Sequence, residues 1–255
     1  MPRRLAVLAL LACWCTPAGA MVGGATDVTG SGVGRHVVLI VGSRGNSCTG
    51  VALAPDLVLT VAHCVLPGAE YRIVAFDAAH QPSLGPAATV ARHPAFKLQT
   101  MLAHRATADL ALLRLPAPLA APAEPAPLSA RTAFAPGERF TVAGYGVTVR
   151  GDGKTGGTVR AATLVATGRP GTLQVRLVDP ATGGERSGLG ACTGDSGAPA
   201  FEDSGGNVAV VGVVSWSTGP GGSDGCGGLT GLTPLVIYRD WIAAAARRLG
   251  SPLTP

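Results

Sequence analysis

Short apolar runs bounded by Gly, Pro, Asn and Ser recur along this chain, at residues 36–41, 57–61, 71–76, 110–115, 139–143, 158–166, 172–178 and 208–215. Each is five to nine residues long. That length and the turn chemistry between the runs argue for an all-β barrel or sandwich. One stretch breaks the rhythm. Residues 116–136 hold six prolines and no strand periodicity, so they are expected to cross between two β units, with a boundary near residue 125. Only the C-terminus reads as helix. Ile237, Trp241, Ile242, Ala245 and Leu249 fall at helical spacing, with Gly250 and Pro252 as stop signals, which predicts a helix over 236–249. No internal repeat of fixed short period is present.

At 255 residues the chain is long enough to bury a real core, which excludes a disordered polymer. Charged residues make up only 14%, against roughly 25% in an average soluble protein, and 37 glycines and 20 prolines take their place. The formal charge of +5 is diffuse, with no basic run longer than a pair such as Arg247-Arg248, so no nucleic-acid partner is expected. The first twenty residues read as a secretory leader: Arg3 and Arg4, an apolar run over 5–12, then Ala18-Gly19-Ala20 as a cleavage site. That run is far short of the roughly 18 residues a membrane span needs, and no later segment supplies one. Leu10-Leu11-Ala12-Cys13 resembles a bacterial lipobox, so lipidation at Cys13 is the alternative outcome. Without residues 1–20 the chain keeps 18 basic and 15 acidic residues and four cysteines, Cys48, Cys64, Cys192 and Cys226. An even number in an exported chain, with no Cys-x-x-Cys pair, favours two disulfides over a metal site. The leader style and an Arg:Lys ratio of 18:2 point to a bacterial exported protein, secreted or periplasmic.

Three segments carry chemistry. Gly194-Asp195-Ser196-Gly197 sets a serine between glycines, which frees the backbone to curve until successive N–H groups face one point. Alone it is also an ordinary turn. Leu59-Thr60-Val61-Ala62-His63-Cys64 ends a β-rich run in a histidine. Ala108-Asp109-Leu110 places one carboxylate at the start of an apolar strand, where burial is costly unless something pairs with it. A histidine can be that partner.

The His, Asp and Ser segments, in this chain order, resemble the chymotrypsin/trypsin family of serine endopeptidases. Cys48-Thr49-Gly50, Ala143-Gly144-Tyr145-Gly146, Ser215-Trp216-Ser217 and the closing Trp241-Ile242 extend the resemblance over nearly the whole chain after the leader. It implies two packed antiparallel six-stranded β-barrels with a C-terminal helix, residues 21–125 carrying His63 and Asp109 and residues 126–255 carrying Ser196. Ser196 would be the nucleophile, His63 the general base, and Asp109 the group that orients the imidazole. The N–H groups of Gly194 and Ser196 would form the oxyanion hole. The implied disulfides are Cys48–Cys64 and Cys192–Cys226. Met21-Val22-Gly23-Gly24 is similar to the N-terminus that family zymogens expose, whose ammonium inserts beside the acid before the serine, here Asp195. Because the leader cleavage site abuts this motif, export itself is expected to generate the active N-terminus. The primary pocket would be built from Gly190, Ala191, Ser215, Trp216, Ser217 and Thr230, with Gly228 an alternative to Thr230. Lacking an acid at Gly190, it disfavours Arg and Lys and leans towards small or medium apolar side chains. No cofactor or metal is implied, protein or peptide is the substrate, and a monomer is expected. The competing class is a non-catalytic binding protein on the same fold.

Other motifs carry less. Gly221-Gly222-Ser223-Asp224-Gly225 matches a hydrolase nucleophile elbow, yet every histidine lies upstream of it, whereas that family's histidine follows its serine. Gly153-Lys154-Thr155 lacks the leading glycine of a phosphate loop. His36, His80, His93 and His104 show no ligand spacing and read as structural or solvated, and Glu70 and Asp77 are too isolated for a calcium loop.

Overall fold

The computed structural model describes residues 21–253 except 24, 77–80 and 205–206, and leaves the side chains of 203, 204 and 207 undescribed. The leader, Cys13, Gly24, Asp77 and His80 lie outside the described residues. Among the described residues, no helix is long and apolar enough to cross a membrane.

The strands are β1 (Thr26–Asp27), β2 (Val37–Gly42), β3 (Ser47–Ala54), β4 (Leu57–Thr60), β5 (Tyr71–Phe76), β6 (Pro82–Ala87), β7 (Thr89–Arg92), β8 (Ala111–Arg114), β9 (Arg139–Gly144), β10 (Arg160–Thr167), β11 (Val175–Val178), β12 (Pro199–Ser204), β13 (Asn207–Ser217) and β14 (Thr230–Pro234). Helix α1 (Leu98–Leu102) precedes β8, and α2 (Arg239–Arg248) ends the chain. The strands form two antiparallel sheets. In the second, the order β10-β11-β14-β13-β12-β9 returns to β10 through the β10–β9 ladder, which closes a six-stranded barrel. The first runs β6-β5-β2-β3-β4-β8-β7 and curls without a ladder between its edges among the described residues. Its two edge strands are nevertheless consecutive, with Ala88 alone between them. The chain leaves β5 and joins β8 by changing partner at that residue, so one bent strand spans the gap.

Patterning explains which faces point inward. Along β10, Ala162, Leu164 and Ala166 alternate inward, opposite Phe140 and Val142 of β9. By contrast β4 is buried at every position, because one face lines the first sheet's interior and the other is covered by the rest of the chain. The two sheets share one apolar cluster that joins Leu59 and Leu112 to Phe201, Val213 and the inner face of α2. Both ends of the chain cross over. Residues 26–27 pair with β10 of the second sheet, while Ile242, Ala245 and Ala246 of α2 pack into the cluster beneath the first.

Helix α2 is shorter than the 236–249 read from periodicity. Residues 236–238 form a turn instead, with Tyr238 N–H bonded to the Leu235 carbonyl. Its other end is sharp: Gly250 takes φ +75°, and the N–H groups of Gly250 and Ser251 return to the carbonyls of Arg247 and Ala246. Among the strands that the sequence did not announce, β3 and β6 break strand chemistry. In β3, Gly50 is needed because a Cβ there would strike Val58 and Ile40, and β6 contains Pro82, Gly85 and Pro86. Prolines are tolerated in β6 because it is an edge strand.

Candidate active site

The β4–β8 ladder brings the first two groups together. Thr60 pairs with Ala111, so the residues just past β4 and just before β8 emerge at the same edge. His63 sits there in a short 3₁₀ turn, Ala62–Val65, and Asp109 faces it. Asp109 is fully buried and accepts three hydrogen bonds: from His63 N–H (3.0 Å), from His63 Nδ1 (2.7 Å) and from Ser215 Oγ (2.6 Å). The cost of burying a lone acid, foreseen from its apolar context, is thus offset by three donors. One of them belongs to the other sheet. Ser215 lies on β13, and its hydroxyl turns to Asp109 rather than to a substrate pocket.

Ser196 lies on the loop between Cys192 and β12. Three peptide planes on this loop are tied down. The Thr193 carbonyl accepts from Val147 N–H (2.9 Å), the Asp195 carbonyl accepts from Ala198 N–H (2.9 Å), and Asp195 N–H donates to the Cys192 carbonyl (3.0 Å). In a trans peptide the N–H points opposite to the carbonyl, so anchoring these carbonyls turns the N–H groups of Gly194 and Ser196 the other way. The loop needs its glycines. Gly194 (φ +96°) and Gly197 (φ +85°) occupy the left-handed region, and a Cβ on Gly197 would collide with the Thr49 carbonyl and the Thr60 hydroxyl.

Asp195 is the second fully buried carboxylate. It accepts from Gly146 N–H and Cys192 N–H, both at 2.9 Å. Burial pushes its carboxyl up to about 7 despite these two bonds. Side chains at 144 or 146 would land on that carboxyl, which accounts for both glycines of Gly144-Tyr145-Gly146. Met21 is fully buried in the same apolar cluster as Ala191 and Ala198, and Val22 bridges antiparallel to Gly190. The N-terminal segment is therefore inserted in the second unit, beside the chain that leads to the serine loop.

Disulfide Cys48–Cys64 joins β3 to the His63 turn, and Cys192–Cys226 joins the serine loop to the segment before β14. A cleft of about 420 Å³ lies between, lined by His63, Ser196, Gly194, Ser217, His104 and Arg150 among others. The remaining expected pocket residues do not line it. Gly190, Ala191 and Thr230 pack together in buried positions, with Ala191 N–H bonded to Thr230 Oγ1 at 3.0 Å. The Trp216 ring lies against Gly231 on one side, and His104 stacks on the ring with centroids 4.7 Å apart. Two features were missed in the sequence. His104, read there as structural or solvated, lines the cleft, and Thr49 emerges as a buried hub. Thr49 stood in the sequence only as part of Cys48-Thr49-Gly50, with no role assigned, and no motif marked His104, because the neighbours of both come from segments distant in the chain.

The Trypsin family model matches residues 21–242. Over 222 residues the chain is 28% identical to the vitellin-degrading protease of Bombyx mori, covering 81% of this chain and 79% of that protein. It is also 28% identical over 207 residues to Homo sapiens kallikrein-8, covering 76% and 75% of the two chains. Among solved structures, a single-site mutant of human heparin binding protein (CAP37) superposes with a TM-score of 0.64 at 24% identity, covering 88% of this chain and 95% of that one. An atomic-resolution structure of HBP gives 0.66 at 22%, covering 92% and 100%. At these identities the structural likeness is one of fold, and it is the chymotrypsin-like fold. The family match spans both sheets and the start of the closing helix: this chain belongs to the trypsin family.

Proposed function

We propose that the protein is an exported serine endopeptidase in which Ser196, His63 and Asp109 form the catalytic triad. The carrying observation is the pair His63–Asp109. A buried carboxylate accepts a hydrogen bond from Nδ1–H and keeps the proton there, so the other ring nitrogen, Nε2, is the basic one available at the cleft that Ser196 also lines. Ser196 Oγ attacks the substrate carbonyl carbon while its proton passes to His63 Nε2. The carbonyl oxygen becomes an oxyanion received by the N–H groups of Gly194 and Ser196. Collapse breaks the C–N bond, the leaving amine takes the proton from His63, and the acyl group stays on Ser196. Water then repeats the sequence in reverse, releasing the acid and restoring the hydroxyl. The chain acts as a monomer on protein or peptide substrates outside the cytoplasm. A second reading, a binding protein on this fold, draws support from the likeness to heparin binding protein. Against it stands the presence of all three residues, with His63 bonded to Asp109 and lining the same cleft as Ser196. A fluorophosphonate probe is expected to label the wild type, and Ser196→Ala and His63→Ala are expected to abolish labelling. Folded, processed wild type that stays unlabelled favours the binding reading.

Specificity follows from the packed group behind the cleft. Gly190 supplies no carboxylate for a substrate cation, and the Thr230 side chain fills space against Ala191. Cleavage after small or medium apolar residues is expected in a peptide library. A strong Arg or Lys preference would contradict it.

The Met21 ammonium, freed when the leader is removed, is the cation that Asp195 lacks. While residue 21 is in an internal peptide bond, burial holds the Asp195 carboxyl near 7, above its ordinary value of 3.8. The sign follows: stability contributed by the neutral acid is full below pH about 4 and lost as pH rises through about 7. An ammonium partner removes that loss by favouring the carboxylate. Chain starting at Met21 should therefore hold its melting temperature from pH 5 to 8, while unprocessed chain declines. Equal pH dependence of the two, or an exported N-terminus at Cys13 or within 14–20, contradicts the assignment.

A further inference from the structure

We infer that Thr49, on the first sheet, is a positioning residue that fixes the oxyanion hole on the second. The inference rests on the serine peptidase reading above. Thr49 is fully buried on β3 and bonds four partners. Its N–H donates to the Ser196 carbonyl (2.8 Å), and its carbonyl accepts from Thr60 Oγ1 (2.7 Å). Its own hydroxyl donates to the Gly194 carbonyl (2.8 Å) and accepts from Tyr145 N–H (3.0 Å). The direction of these last two bonds is forced. An amide N–H can only donate and a carbonyl can only accept, so the single hydroxyl proton must lie on the Gly194 side.

The Gly194–Asp195 peptide sits between the two oxyanion donors, Gly194 N–H and Ser196 N–H. It is held at both ends, by Thr49 Oγ1 at its carbonyl and by the Cys192 carbonyl at its N–H. Gly194 has no side chain and φ +96°, so little besides these bonds opposes rotation of that plane. Removing the hydroxyl leaves the Gly194 carbonyl and Tyr145 N–H without partners, and the Gly194–Asp195 peptide of the loop would relax by turning. Because that plane links the two donor planes, turning it pulls on both donors against the anchors at the Thr193 and Asp195 carbonyls. The clamp is also tied to the base. Cys48, next to Thr49, is bonded to Cys64, next to His63. One short stretch of β3 is thus tied both to the His63 turn and to the serine loop.

The test compares Thr49→Val, which keeps the branched shape without the hydroxyl, with Thr49→Ser, which keeps the hydroxyl. In the Val variant, Ser196 phosphonylation by the fluorophosphonate should slow on the order of 10- to 100-fold, less than the loss typical for deleting an oxyanion donor outright. On a peptide substrate the loss should fall on kcat with KM little changed, because ground-state binding does not use the oxyanion donors. Thr49→Ser should restore labelling to within about threefold of wild type. The pH of half-maximal labelling should stay fixed in all three proteins, since His63 and Asp109 are untouched. If Thr49→Val does not fold, Thr49→Ala against Thr49→Ser is read the same way. Folded Val or Ala variant that labels at the wild-type rate overturns the inference. So does a Ser variant as slow as Val, or a loss confined to KM. Wild type that shows no Ser196-dependent labelling overturns the catalytic reading itself, a different outcome from fast labelling in every protein.

Discussion

A carboxylate with no contact to solvent sits where the two sheets meet, and much of the site depends on how it is satisfied. Asp109 draws two donors from the His63 turn of its own sheet and one, Ser215 Oγ, from the other. Losing any of them would leave a buried charge underpaired, which is far more costly than losing a surface contact. The imidazole is fixed because the acid needs it. The sheets are fixed together because Ser215 and Asp109 share that bond across their interface.

A second cross-sheet contact works on the serine loop. Thr49 reaches from β3 to the carbonyls of Gly194 and Ser196, while Val147 and Ala198 hold the neighbouring planes. The chain ends reinforce the same junction in opposite directions. Met21, Val22 and residues 26–27 lie in the second unit although they precede the first sheet, and α2 packs beneath the first although it follows the second. Separating the units would therefore expose both the cluster shared by the sheets and the polar bonds that shape the cleft.

Much of this was legible in the sequence, for reasons that differ by residue. Strands β5, β8, β9 and β13 show themselves because their apolar side chains follow strand chemistry. His63 and Asp109 stand out as polar residues at the ends of apolar runs, and β4–β8 register brings them face to face. What was hidden has a common physical origin. Strand β3 is interrupted by a glycine demanded by Val58 and Ile40, and edge strand β6 is written in prolines. The roles of Ser215, Thr49 and His104 are set by partners 106, 145 and 112 positions away in the chain, and no local pattern encodes such contacts. The tight packing of Thr230 on Ala191 likewise appears only once β14 lies beside the serine loop.

The central claim is that the buried charge of Asp109 keeps the His63 proton on Nδ1 and leaves Nε2 basic. Asp109→Asn keeps the shape and removes the charge, so it tests the claim most directly when fluorophosphonate labelling is followed at neutral pH. The account predicts folded protein whose labelling rate falls by about 10⁴-fold, the scale expected when the imidazole is held in the wrong tautomer. A folded Asp109→Asn protein that labels within about tenfold of wild type would contradict it, because the carboxylate would then be structural only.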